Sequence, residues 1–167
     1  MRALFLLTLL SLFCFSADAQ TDAAQQQTIN YLKINGTQTQ YEAAFDQMVG
    51  LIKNQFEGSG VPESQWEKLE AKKSEAVSGI VNMLASVYRS YFEETDIQNL
   101  YTHYSSSPEQ QRANQNTFIN SATGQKLVAV QQSLIQNISA ASESWSRDLY
   151  MDTINELKAL GYTPKQQ

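Results

Sequence analysis

One cysteine, one histidine and three prolines occur in 167 residues, and each scarcity closes off a class of chemistry. The cysteine, Cys14, lies inside an N-terminal apolar run. Beyond that run there is no thiol, and so no disulfide framework, cysteine nucleophile or thiolate metal site. Lipidation is disfavoured too, because Leu12 and Phe13 precede Cys14 where small residues are needed. A lone His103 cannot build a zinc site, which takes several convergent ligands. Positive charge is also short: 12 Lys and Arg against 17 Asp and Glu leave a net charge of −5. Such a chain suits neither nucleic-acid phosphates nor anionic membrane surfaces. Pro62, Pro108 and Pro164 leave long stretches unbroken, and alternating β-branched runs are few. With Gln, Asn, Ser and Ala abundant, the expected class is all-α.

The N-terminus is where apolar residues concentrate. "MRALFLLTLLSLFCFSADAQ" has a positive start at Arg2, an uncharged run from Ala3 to Phe15, and small residues at Ala17 and Ala19. That order describes a secretory signal peptide. The run is too short for a bilayer core of ~30 Å, which takes about 20 residues, and this weighs against a retained anchor. The expectation is a signal peptide over 1–19, cleavage following Ala19, and a periplasmic or secreted product. Residues 20–167 then form a single all-helical domain, 162–167 being its tail. Arg2 and Asp18 leave together, so the net charge is unchanged. No later run is apolar enough for a second membrane span.

Apolar spacing lays out the helices. Asp22 to Ile34 reads as a short helix stopped by "NGT", Gly36 taking the left-handed position. Thr37 and Gln40 match a capping box for a second helix, whose stripe is Tyr41, Ala44, Phe45, Met48, Ile52 and Phe56. After "EGSGVP", one long helix is predicted from about 63 to 91. Trp66, Leu69, Ala76, Val77, Ile80, Leu84, Val87, Tyr88 and Tyr91 share one face there, interrupted only by Lys73. A helix over about 94–105 follows. Ser107, Pro108 and Gln110 then start another, over 108–119, that packs by its end alone.

The last helix, about 122–160, begins at "SATGQK" with Ser121 as N-cap. Gly124 in its first turn either admits a neighbouring backbone or tolerates a bend. Its stripe slips near Leu149 by roughly a third of a turn, which means a kink or a change of packing partner. The second apolar face so created serves either an intramolecular bundle or a homodimer. The expected architecture is thus an all-α helical bundle with two long helices and several short ones.

Several segments, taken in order, resemble the bacterial exported family called domain of unknown function 2059. They are "INYLKINGT", "AAFDQMVGLI", "VPESQWEKL" and "YRSYFEETDIQNL". The family's aromatic pair followed by Ser-Pro-x-Gly-x-Lys is matched by Phe118, Ser121, Gly124 and Lys126, with Ile119 and Ala122 at two of its positions. "HYSSSPEQQR", over 103–112, echoes the same motif, so two segments answer to it. The resemblance implies an all-helical exported domain. It brings no activity and no catalytic residues.

Candidate chemistry is sparse. His103, with Tyr101, Tyr104 and Asp96 near it in sequence, has the makings of a general base, but no nucleophile or orienting partner accompanies it. Glu93, Glu94 and Asp96 offer carboxylates to a hard cation such as calcium. Without a loop of alternating oxygen ligands, they are better read as acidic complements to a helix start. Tyr88, Tyr91, Tyr101, His103 and Tyr104 are the candidate surface for an unknown protein or apolar ligand, against the simpler alternative of core packing. No catalytic set, metal or cofactor is assigned. The favoured function is a non-enzymatic binding or interaction module of the cell envelope. The alternative is a small hydrolase or lyase using His103 with nearby carboxylates.

Overall fold

The computed structural model describes residues 23–165, and the segment 1–19, expected from its sequence to be a signal peptide, lies outside them. Seven helices follow in order: α1 over 23–34, α2 Thr37–Gln55, α3 Glu63–Ala71, α4 Lys73–Arg89, α5 Glu94–Ser105, α6 Pro108–Ile119 and α7 Ala122–Ala159. No strand occurs among the described residues. The fold is an all-α helical bundle, as its periodicity requires.

Helix α4 is the centre of the bundle. It lies against α2 on one side and α7 on the other, and Val77, Ile80, Val81, Leu84 and Ala85 are buried along it. From α2 come Phe45, Met48, Val49 and Ile52, from α3 Trp66 and Leu69, and from α7 Leu134, Ile154 and Leu157. Tyr31 and Leu32 of α1 and Ile97 and Leu100 of α5 complete the core. Each helix therefore buries the stripe that its three- and four-residue spacing marks out.

The helix expected over 63–91 is bent at Lys72 and ends at Arg89. The Lys72 N–H bonds to the Leu69 carbonyl three residues back, at 3.0 Å, before the four-residue ladder resumes. The bend sits next to Lys73, the one polar residue in the stripe. Lys72 and Lys73 instead reach across the surface to Glu156 of α7 at 2.5 Å and Asp46 of α2 at 2.6 Å. Both pairs are exposed and contribute little energy. The bend lets Trp66 and Leu69 close over α2 while α4 keeps its own face on α7.

Helix α7 runs unbroken for 38 residues, and side chains on both sides of the slip near Leu149 find partners within this chain. The Trp145 indole N–H donates to the Ala76 carbonyl of α4 at 3.0 Å, and its ring meets Tyr41 edge-on at 5.3 Å. One turn on, the Tyr150 hydroxyl donates to Gln55 at the end of α2 at 2.8 Å. Both stripes are thus used inside this chain, and the slip does not require a homodimer.

Two local expectations differ. Thr37 does not cap α2; the helix begins there, and the Asn35 side chain accepts from the Thr37 amide at 3.0 Å and from its hydroxyl at 2.7 Å. Asparagine two residues upstream thereby competes successfully with the predicted box. The tail is also tied down as far as it is described. Tyr162 packs on the core, and the Lys165 N–H donates to the Gln55 carbonyl at 2.7 Å.

Truncation across α4 should separate its two faces. Leu84→Ala, at a position 1% exposed, is expected to cost ~2–5 kcal/mol by cavity formation. Met83→Ala, one residue away and 45% exposed, should stay within ~0.5 kcal/mol. Urea denaturation followed by circular dichroism measures both.

Candidate functional site

The start of α5 faces the start of α7, and a buried carboxylate joins them. Asp96, 8% exposed, sits three residues after Glu93 and accepts that residue's backbone N–H at 3.2 Å. So far this is an acidic residue completing a helix start. Its two oxygens do more. Oδ1 accepts from the Thr123 hydroxyl at 2.9 Å, and Oδ2 accepts from the Lys126 ammonium at 2.5 Å. The Asn99 amide donates to the Thr123 hydroxyl at 3.0 Å. Asp96 and Asn99 lie three apart on α5, as do Thr123 and Lys126 on α7, so each helix offers one face.

Charges in this cluster are mutually fixed. Burial alone would raise the Asp96 carboxyl, but hydrogen bonds from Lys126, Thr123 and the Glu93 amide outweigh it and hold the group below its ordinary range. Lys126 is held above its own, chiefly by the hydrogen bond to Asp96. Among the described residues no buried side-chain polar atom lacks a partner. No group of three or more His, Asp or Glu among them converges on a metal position, and Glu93 and Glu94 are exposed.

The corner between α6 and α7 is equally constrained. Ser121 caps α7, its hydroxyl oxygen accepting the Gly124 N–H at 3.1 Å and its O–H donating to the Phe118 carbonyl at 2.6 Å. Gly124 is buried against the end of α6. A Cβ there would overlap the Phe118 carbonyl oxygen and stand 2.9 Å from Ile119 Cα. Of the two uses open to this glycine, close backbone approach is the one the fold makes. Asp96 draws α7 onto α5, and the corner then sets Phe118.

Phe118 stacks face to face on His103 of α5, ring centres 4.0 Å apart and planes 8° from parallel. Tyr104 meets His103 edge-on at 5.2 Å. On one side of this pair opens a cleft of about 500 Å³, bordered by Asn99, Thr102, Asn114 and Thr117. On the other lies one of about 430 Å³, bordered by Tyr104, Gln111, Arg112 and Leu127. No Asp or Glu oxygen among the described residues comes within 4.0 Å of the imidazole.

The expected residues thus divide. His103, Tyr104, Phe118 and Ser121 border the clefts, while Gly124 and Lys126 hold the corner behind them. Tyr88 instead packs in the core, edge-on to Tyr31 at 5.5 Å and stacked on Phe92 at 5.9 Å. Burial pushes the phenols of Tyr31 and Tyr88 upward, so both stay neutral. Tyr101 also packs on the core, and the Tyr91 hydroxyl accepts from Asn137 of α7 at 2.6 Å. A larger cavity of about 560 Å³, between α1, α2, α3 and α4, contains none of the expected residues. Its Lys73, Glu70 and Glu42 are already engaged by Asp46, Lys53 and Gln38.

Sequence reasoning missed Asn99, Thr123, Asn114 and Thr117. Asp96 was in view, but as a helix-start residue; nothing in the spacing of 96 and 126 announces that they meet. No family model, no curated protein and no solved structure matches the chain.

Gly124→Ala is expected to lose ~1–3 kcal/mol or more, because the clash is with backbone and cannot relax by a rotamer change. Thermal melting against wild type measures it. Asp96 gives a pH signature. Its folded value is depressed, so the stability it supplies is present above the unfolded value of about 3.9 and is lost as pH falls through the lower folded value. Asp96→Asn should be less stable near neutrality and show a flatter acid limb in stability against pH, measured by denaturation between pH 2 and 7.

Proposed function

We propose that this protein is an exported, non-enzymatic binding module of the cell envelope, and that it binds through the clefts beside the His103–Phe118 stack. The carrying observation is the state of His103. Its ring is parallel to Phe118 at 4.0 Å with no carboxylate of the described residues within reach, which makes it a wall of the cleft without the orienting partner that a general base uses. A hydrolase or lyase built on His103 would need such a partner.

Export rests on the order of Arg2, the apolar run and Ala17-Asp18-Ala19. The resemblance to the exported family named above rests on the motifs quoted for it, among them Phe118, Ser121, Gly124 and Lys126. Among the described residues no helix is long and apolar enough to cross a membrane.

Replacing His103 by a ring that cannot carry a proton separates the two chemistries. His103→Phe keeps the stack on Phe118 and removes acid–base capacity. Because His103 also walls the cleft, rescue of a strain lacking the protein is read together with binding: under the binding reading, rescue by His103→Phe follows the variant's capture of material from the cell envelope. Failure of rescue by a folded variant that still captures the same material would overturn it in favour of the hydrolase or lyase.

A further inference from the structure

The larger of the two clefts beside the stack has a chemistry that names a ligand class. Its walls are two helical rows. Asn99 and Thr102 of α5, with Ser106 just past its end, stand at three- and four-residue steps, and Gln110, Asn114 and Thr117 at the same steps on α6. Each row runs roughly 10 Å at 1.5 Å per residue. Every one of these six side chains is an uncharged amide or hydroxyl, and no Lys, Arg, Asp or Glu borders the cleft. The charged pair behind it, Asp96 and Lys126, is self-satisfied. Between the rows stand the rings of His103 and Phe118.

Several of these groups keep hydrogen-bonding capacity. Asn99 spends one N–H on Thr123, leaving its carbonyl oxygen. Gln110 uses its oxygen on the Ser107 amide, leaving its NH2. Asn114 and Thr117 are exposed and make no side-chain hydrogen bond to another described residue. Amides offering a donor and an acceptor side by side match neighbouring hydroxyls, each of which is both donor and acceptor. Aromatic rings supply the apolar platform such a ligand's C–H face requires.

Other classes fit less well. A phosphate or carboxylate ligand calls for a cation, which this cleft lacks. An extended peptide adds to a sheet edge, and there is no strand among the described residues. An amphipathic partner helix needs a row of apolar anchors, whereas Phe118 is the one hydrocarbon side chain here. We infer that the cleft between α5 and α6 binds a neutral saccharide, its hydroxyls held by Asn99, Asn114, Thr117 and Gln110 and a sugar face set against the His103–Phe118 pair. This rests on the binding-module reading and narrows it.

The test is a ¹H–¹⁵N NMR titration of the folded protein with four probes: maltotriose, tri-N-acetylchitotriose, an end-blocked tetra-alanine peptide, and indole. The expected result is saturable shifts at Asn99, Asn114, Thr117 and Phe118 with at least one trisaccharide, and none there with peptide or indole. Asn114→Ala combined with Thr117→Val should weaken that saccharide about tenfold, as loss of two neutral hydrogen bonds implies, with an unchanged melting temperature because both sites are exposed. Shifts there with peptide or indole alone would overturn the saccharide class and leave the binding module standing. Silence with all four probes, or saccharide shifts indifferent to the double substitution, would overturn the proposal. The rescue experiment with His103→Phe then decides the broader reading separately.

Discussion

A carboxylate with 8% of its surface exposed stays ionised inside a helical bundle only if other donors replace the water it has lost. For Asp96 those donors come from three places: its own helix start, the Thr123 hydroxyl and the Lys126 ammonium. Two of the three belong to α7. The same carboxylate therefore begins one helix and anchors the beginning of another, 27 residues later in the chain to Thr123 and 30 to Lys126. Everything near the stack is arranged by that choice. Once α7 is held at Thr123 and Lys126, the Ser121 cap and the Gly124 contact leave Phe118 little freedom, and Phe118 sets the plane of His103.

The division between core and cleft follows from what each helix has to spend. Helix α4 carries five buried apolar residues and packs on two long neighbours. Helix α6 buries no residue at all and is held near its ends, by the Gln111 amide donating to the Tyr104 and Ser106 carbonyls on one side and by the Phe118–Ser121 corner on the other. A helix so attached leaves most of its polar side chains in solvent. Where it leans over α5, those side chains meet a second polar row, and a cleft of uncharged groups results.

Much of the fold was legible because the apolar steps are regular and the helix ends are chemically marked. Ser107-Pro108, Ser121 and Gly161 each signal a boundary by a side chain or a backbone preference, and the helices begin and end there. The bend at Lys72 was half legible, since Lys73 broke the stripe without saying whether the axis would turn. The start of α2 was misread because Asn35 and Thr37 are both capable caps, and only their relative placement decides. The site was less legible still. Periodicity reports which face of a helix is apolar. It does not report that Asp96 on one face will meet Lys126 on another, because such a meeting depends on how α6 folds back between them. The aromatic residues illustrate the same limit: Tyr88 and Tyr104 both pack on Tyr31 of the core, yet only Tyr104 also borders a cleft.

Helix α7 reaches about 57 Å at 1.5 Å per residue, and it packs against α2, α4, α5 and α6. It is also the last helix among the described residues. During synthesis, a chain emerging N-terminus first would present α2, α4 and α5 with the sides meant for α7 still uncovered. The Asp96 carboxylate would have neither of its distant donors in that state. Only when the final helix arrives do the apolar sides of α4 and the acid of α5 both find partners, and a single docking event can then close the whole molecule.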